Sequence, residues 1–209
     1  MNNLIISIGR QFGSGGKEIG KKLAKELSIK CFDKEIIKLA SKESGIREEM
    51  FEVADEKPVN SFLYSIVAHG FPAYTPSIPV NGVLTNDKIF ALQANTIRKI
   101  SEEMSAVIIG RCADDILRDH EKLVKIFIYQ DKEKRVKRIS EIYNLSEKES
   151  YEMIRRMDKS RSSYYEFFTS KRWGDVSNYD LCIDSSVGID NAVKIIKEFI
   201  NIKFNKSEK

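Results

Sequence analysis

An apolar run, Leu4–Ile8, breaks directly into a loop that carries Gly9, Gly13, Gly15 and Gly16. A helical pattern follows at once, with Ile19, Leu23 and Leu27 four residues apart. Buried strand, glycine loop, helix start: this order is how a chain builds a phosphate cradle. Glycines let successive backbone N–H groups turn inward, and the helix N-terminus adds a partial positive charge. The competing reading is an ordinary β–α turn that needs glycine for tight packing, but four glycines in eight residues exceed that need. The loop departs from the GxxxxGK[ST] pattern in both registers. With Lys17 as the loop lysine, Gln11 stands at the first glycine and Glu18 at the hydroxyl residue. With Gly13 and Gly15 aligned instead, Gly16 falls at the lysine position.

The chain has 209 residues, enough for one large domain or a core with inserted subdomains. Charged residues make up 32% of it, yet the net charge is only +4, which points to neither nucleic acid nor a membrane surface. Cys31, Cys112 and Cys182 are far apart and odd in number, so a disulfide framework or structural zinc site is not expected. His69 and His120 are read as incidental rather than as metal ligands. No signal-peptide pattern opens the chain, and no apolar stretch approaches the roughly 18 residues of a membrane span. These features lead us to expect a cytoplasmic protein.

Four β-branched runs without strict alternation read as central strands of a parallel sheet: Leu4–Ile8, Ala106–Ile109, Val124–Tyr129 and Tyr179–Ile183. Ile29–Phe32 is a short fifth candidate. Helical patterns lie between them, and Ile189, Val193, Ile196 and Ile200 share one face of the last. Alternating strands and helices predict a three-layer α/β fold with about five parallel strands. Residues 34–100 differ: a helix over Lys34–Lys42, then all four prolines within 22 residues among Phe62, Tyr64, Phe71 and Tyr74, then a helix over 87–104. Residues 131–170 read as helical and strongly basic. We take 34–100 and 131–172 as insertions, leaving 1–33, 101–130 and 173–209 as the core.

Gly110-Arg111-Cys112-Ala113-Asp114 follows the strand Ala106–Ile109. In a parallel sheet, ligands sit at the carboxyl ends of strands, where an arginine can grip phosphate or carboxylate through two bonds. Asp114 would orient that arginine or contact a ligand; alternatively it favours the first turn of a helix. Asp33, at the end of the short second strand, points to the same crevice or caps the following helix. Tyr164 to Phe168 read as core or interface aromatics rather than a base platform, and Lys132–Arg138 as a solvated helix face.

Taken in order, the glycine loop, Cys31-Phe32-Asp33-Lys34-Glu35, Gly-Arg-Cys-Ala-Asp at 110–114, and Arg172-Trp173-Gly174-Asp175 before Asn178-Tyr179-Asp180 resemble the cytidylate kinase-like proteins, a divergent branch of the nucleoside monophosphate kinases. The resemblance covers nearly the whole chain. It implies a P-loop core, a monophosphate-binding insertion at 34–100 and an arginine-rich lid at 131–172. Gly110-Arg111 matches the middle of the family's Asp-Gly-Arg-Asp stretch, with Ile109 and Cys112 in place of its aspartates. Met157-Asp158-Lys159-Ser160-Arg161 is similar to the lid run.

The resemblance implies ATP-dependent phosphoryl transfer with Mg²⁺ to a nucleoside monophosphate, CMP- or dCMP-like. Gly13, Ser14, Gly15, Gly16, Lys17 and Glu18 would hold the donor, with Glu18 a candidate metal ligand. Asp33, Arg111 and Asp114 would hold the acceptor. Lys17, Arg156, Lys159 and Arg161 would act on the transferring group. Partners would be small nucleotides, with no nucleic acid and no membrane. Two other readings stay open: a nucleotide- or anion-binding regulator without kinase activity, and a kinase of a non-nucleotide small molecule.

Overall fold

The structure is a computed structural model, and it describes residues 3–56 and 86–205. The proline- and aromatic-rich stretch at 58–80, and His69 with it, lie outside the described residues. Five strands pair in parallel: β1 (Ile5–Arg10), β2 (Lys30–Phe32), β3 (Ala106–Ile109), β4 (Leu123–Tyr129) and β5 (Leu181–Asp184). Their order across the sheet is β2-β3-β1-β4-β5. β1 is central because its side chains bury on both faces. Ile5 pairs with Ala106 on one side and Leu123 on the other, and all three are buried. β1 runs two residues past the predicted Leu4–Ile8, carrying Gly9 and Arg10 into the sheet's carboxyl edge.

Two apolar layers sandwich this sheet. On one face Ile6, Ile8, Val107, Ile109, Ile126 and Ile128 meet Ile19, Leu23 and Ala24 of α1 (Gly16–Glu26) and Ala192, Val193 and Ile196 of the last helix, α8 (Ile189–Asn205). Full burial of each isoleucine contributes about 1.5–3 kcal/mol. A Cβ at Gly20 would overlap Ile109 Cδ1, so glycine is what lets α1 lie this close to the sheet. On the other face Ile5, Phe32 and Ile108 meet Ile36 of α2 (Glu35–Ser44) and Ile97 and Ile100 of α4 (Asn86–Glu103). Between α2 and α4 sits α3 (Glu48–Ala54), anchored by the fully buried Phe51. A single turn, α5 (Ala113–Ile116), follows β3.

The helical stretch predicted over 131–170 is two helices, α6 (Lys132–Tyr143) and α7 (Glu147–Thr169). The break is chemical. Asn144 closes α6 in the left-handed region at φ 52°, and Ser146 with Glu149 forms a reciprocal capping box that starts α7. Asp131 caps α6 by accepting from the amides of Glu133 and Lys134. Aromatic contacts seat α7 on α4: Phe168 stacks on Phe90 with ring centroids 4.0 Å apart, beside buried Tyr164 and Tyr165. The expected core role holds for Tyr164, Tyr165 and Phe168, while Phe167 is exposed. Among the described residues, no helix is long and apolar enough to cross a membrane.

Candidate active site

The loops after β1, β2 and β3 all emerge at the carboxyl edge of the sheet, on one side of a shared crevice. After Arg10 the chain turns over Gly13 and Gly15, with φ of 81° and 78°. Gly15 is the N-cap of α1 and offers no side chain to the helix end. The first intrahelical bond runs from Ile19 N to Gly15 O at 3.0 Å, so the amides of Gly16, Lys17 and Glu18 lie ahead of it. Ser14 is buried, and its hydroxyl donates to Gln11 O at 2.9 Å. Gln11 occupies the place of the usual first glycine by bracing the loop: its N–H donates to Ile128 O, and its Oε1 accepts from Gln130 N at 3.1 Å.

Lys17 reaches across the loop to Asp33, Nζ to Oδ2 at 2.6 Å. That contact ties the glycine loop to the β2 end. Asp33 does not cap α2. Lys34 holds the cap position, and the Asp33 carboxylate turns instead to Lys17 and to Arg111 Nη1 at 3.2 Å. Arg111 is 1% exposed. It also donates to Ile109 O at 2.9 Å and, through Nη2, to Asp55 Oδ2 at 2.9 Å. Asp55 lies just past the end of α3.

Arg10 and Arg161 complete the cationic wall. Arg10 donates through Nη1 and Nη2 to the two carboxylate oxygens of Glu56, at 2.5 and 3.0 Å. Arg161, on α7, donates to Glu56 Oε2 at 3.2 Å and to Arg10 O at 3.3 Å. Gly110, at φ 73°, permits this approach, because a Cβ there would overlap both Arg10 Nη1 and Glu56 Oε1.

Electrostatics follow from sharing. Burial acts to raise the Asp33 pKa, but the bond from Lys17 and the charges of Arg111 and Arg10 outweigh it and hold it below the usual range. Asp55 goes the other way. Burial dominates, and the neighbouring Glu56 adds to it, while Arg111 must divide its charge among several acids. Glu56 is also buried, yet Arg10 and Arg161 keep it well below an ordinary glutamate.

The hairpin α6–α7 lies over this wall. Asp158 accepts from Phe12 N at 2.7 Å and from Arg135 Nη1 at 2.6 Å, and Arg135 also donates to Phe12 O. Arg138 pairs with Glu18 close above Gly15. The result is a cavity of about 350 Å³ bounded by the glycine loop, Lys17, Asp33, Arg10, Arg111, Arg138 and Arg161, with Phe12, Ile139, Ile142 and Tyr143 as an apolar side.

Several expectations need revision here. The Lys132–Arg138 segment is not only a solvated face, since Arg135 and Arg138 point at the loop. Arg156 and Lys159 do not join Arg161: both are exposed and line an open groove with Leu145, Glu149 and Met153 on the outer side of α7. Helical phase decides this, because Asp158 and Arg161, three apart, share the inward face. Glu18 is engaged by Arg138 rather than turned toward other carboxylates. Among the described residues no cluster of three acidic, histidine or cysteine side chains could hold a metal alone. Arg10, Asp55, Glu56, Arg135 and Arg138 were not singled out by sequence. For Arg10 a signal existed, a lone arginine between the apolar run and the glycines; for Asp55 and Glu56 there was none.

Asp114 sits behind Arg111, 9% exposed, accepting from Tyr165 Oη at 2.7 Å. It borders a space of only about 20 Å³ beside Trp173 and Tyr179, room for about one water. Burial raises its pKa, and the Tyr165 bond offsets only part of that. A carboxyl whose folded pKa is raised contributes stability that is fully present below its unfolded pKa, about 3.9, and lost as pH rises through the folded value. Asp114→Asn should therefore melt higher than wild type near neutral pH, with the gap closing below about pH 4. Asp55 is present in both proteins and cancels. Parallel melting curves across that range would refute the assignment.

No curated protein matches the chain. A crystal structure of an uncharacterized protein from Eubacterium ventriosum is 32% identical, covers 95% of this chain and 99% of its own, and superposes with a TM-score of 0.69. A shikimate kinase from Bacteroides thetaiotaomicron shares the fold at 12% identity and a TM-score of 0.54, covering 95% of this chain and 98% of its own. The model of the cytidylate kinase-like family matches residues 5–187. With a parallel P-loop sheet and Lys17, four arginines and a glycine loop around one crevice, the chain belongs to the cytidylate kinase-like family, whose type of chemistry is phosphoryl transfer.

Proposed function

We propose that the protein transfers the terminal phosphoryl group of ATP to a nucleoside monophosphate of the CMP or dCMP type. The observation that carries this reading is the convergence of Lys17, Arg10, Arg111 and Arg161 at the mouth of the α1 N-terminus. Phosphoryl transfer asks a protein for alignment, charge compensation and exclusion of water rather than for a base. The loop amides ahead of Ile19 suit donor phosphates, and Lys17 stands between them and Asp33. Arg10 and Arg111, at the ends of β1 and β3, suit the acceptor's oxyanion. Arg161 and Arg138 come from the covering hairpin, so charge compensation and water exclusion arrive with one element.

A Mg²⁺ ion fits this donor set modestly. Magnesium commonly takes one or two protein carboxylates and completes its shell with phosphates and water. Asp33 and Glu18 are the carboxylates nearest the glycine loop, and each is already paired, Asp33 with Lys17 and Arg111 and Glu18 with Arg138, so either would have to share its charge with the ion. When bound, the ion would neutralise charge on the phosphates.

The regulator reading draws on one observation: the hydroxyl position of the loop is Glu18, and that glutamate pairs with Arg138. Coupled turnover of ATP against CMP, dCMP, UMP and small alcohols tests the proposal. Turnover of CMP or dCMP well above the alcohols is expected. Turnover of alcohols alone would assign a non-nucleotide acceptor, and nucleotide binding without turnover would favour the regulator.

A further inference from the structure

Glu56 has no part in the transfer just described, yet it holds the centre of the cationic wall. Its side chain is 14% exposed. Arg10 grips it through two bonds and Arg161 through one, while the amide of Arg111 faces Oε1 at 3.4 Å. These three arginines come from the β1 end, the covering hairpin and the β3 end. Such an arrangement is a receptor for an oxyanion, since a guanidinium binds carboxylate and phosphate by the same paired geometry. The occupant is part of the chain, and it sits there under backbone tension: Glu56 adopts φ 50°, a left-handed conformation that a non-glycine residue holds only when its surroundings enforce it. Ser160 on α7 supplies part of that enforcement by donating to Glu56 O at 2.8 Å.

We propose that Glu56 is a tethered stand-in for the acceptor's oxyanion, which must displace it from Arg10 and Arg161 before transfer. The acceptor role rests on the kinase reading above; the oxyanion site does not. Charge balance favours exchange over joint occupancy. Lys17, Arg10, Arg111 and Arg161 face Asp33, Asp55 and Glu56, so a dianion arriving beside an ionised Glu56 would itself be a fourth acidic group against four cations. If it replaces Glu56, no guanidinium is left buried and unpaired at any stage, which is the costly alternative. Because the Glu56 carbonyl accepts from Ser160 Oγ, a backbone shift that carried Glu56 away would also release one tie between the segment after α3 and the covering hairpin.

The competing role is a permanent strut that positions Arg10. Titration calorimetry and melting with inorganic phosphate, without nucleotide, on wild type, Glu56→Ala and Glu56→Gln separate the two. As a stand-in, Glu56→Ala should bind phosphate on the order of ten- to a hundredfold more tightly than wild type, with Glu56→Gln between them. Phosphate should also restore whatever melting temperature Glu56→Ala loses. As a strut, its removal would leave phosphate affinity unchanged or weaker in both variants, and that result overturns the proposal. Should the alanine variant fail to fold, the near-isosteric glutamine variant carries the same comparison. An acetate arm reads the occupant's chemistry: acetate tightening alongside phosphate assigns a general oxyanion site, and phosphate alone assigns a phosphate site. Tighter phosphate binding without turnover of any monophosphate would sustain the site while sinking the kinase reading. Monophosphate turnover with unaltered phosphate affinity would do the reverse.

Discussion

Replacing Arg111 by alanine should destabilise the fold by about 3–5 kcal/mol, the cost of breaking a buried ion pair from one side. The guanidinium is 1% exposed and pairs with both Asp33 and Asp55. Burial alone would lower its pKa, but the surrounding acids raise it well past that, so it is charged throughout. Its removal leaves Asp55, already pushed upward by burial, without its ion-pair partner among the described residues, and strips the Ile109 carbonyl of a donor. From sequence, this arginine reads as an acceptor ligand whose loss would spare the donor site. The ion pairs add a further expectation: Asp33 links Arg111 to Lys17, so phosphate binding at the glycine loop should loosen as well. Denaturant melts of Arg111→Ala beside wild type check this. A variant of wild-type stability that lost only acceptor use would restore the simpler picture.

Lys17→Ala should do the opposite, lowering turnover roughly 10²–10³-fold, the scale of removing one preorganised charge from a transition state. Its side chain is 51% exposed, and screened ion pairs contribute little, so stability should change by under about 1 kcal/mol. The pairing of a large kinetic effect with a small thermal one is the expected signature. Steady-state rates and a melt on the same preparation measure both. If turnover persisted within a few-fold of wild type, the register with Lys17 as loop lysine would be wrong.

These two residues illustrate what could be foreseen. The apolar runs at Leu4–Ile8, Ala106–Ile109 and Val124–Tyr129 announce a parallel sheet because strands buried on both faces read as near-continuous apolar runs, interrupted here only by Ser7 and Lys125. The glycine loop was legible for a related reason: only a few residues tolerate the φ of Gly13 and Gly15, so the backbone requirement is written in residue type. Asp33 and Arg111 were legible as strand-end polar groups. The break between α6 and α7 was also written, in Asn144 and the Ser146–Glu149 box, though a continuous basic run masked it.

What local sequence determined, then, was everything set by a residue's own conformational and hydrophobic preference: strands, loop, caps and the family pattern they compose. What only the tertiary structure decided was which charges meet. Arg156 and Arg161 look alike in sequence, yet one faces solvent and the other Glu56, because helical phase and the docking of α7 on α4 set the direction. Glu56 lies 46 residues from Arg10 and 105 from Arg161. No local preference encodes a contact across such separations; it forms when the sheet and the covering hairpin bring three distant guanidiniums to one place, where a buried carboxylate costs less than leaving them bare.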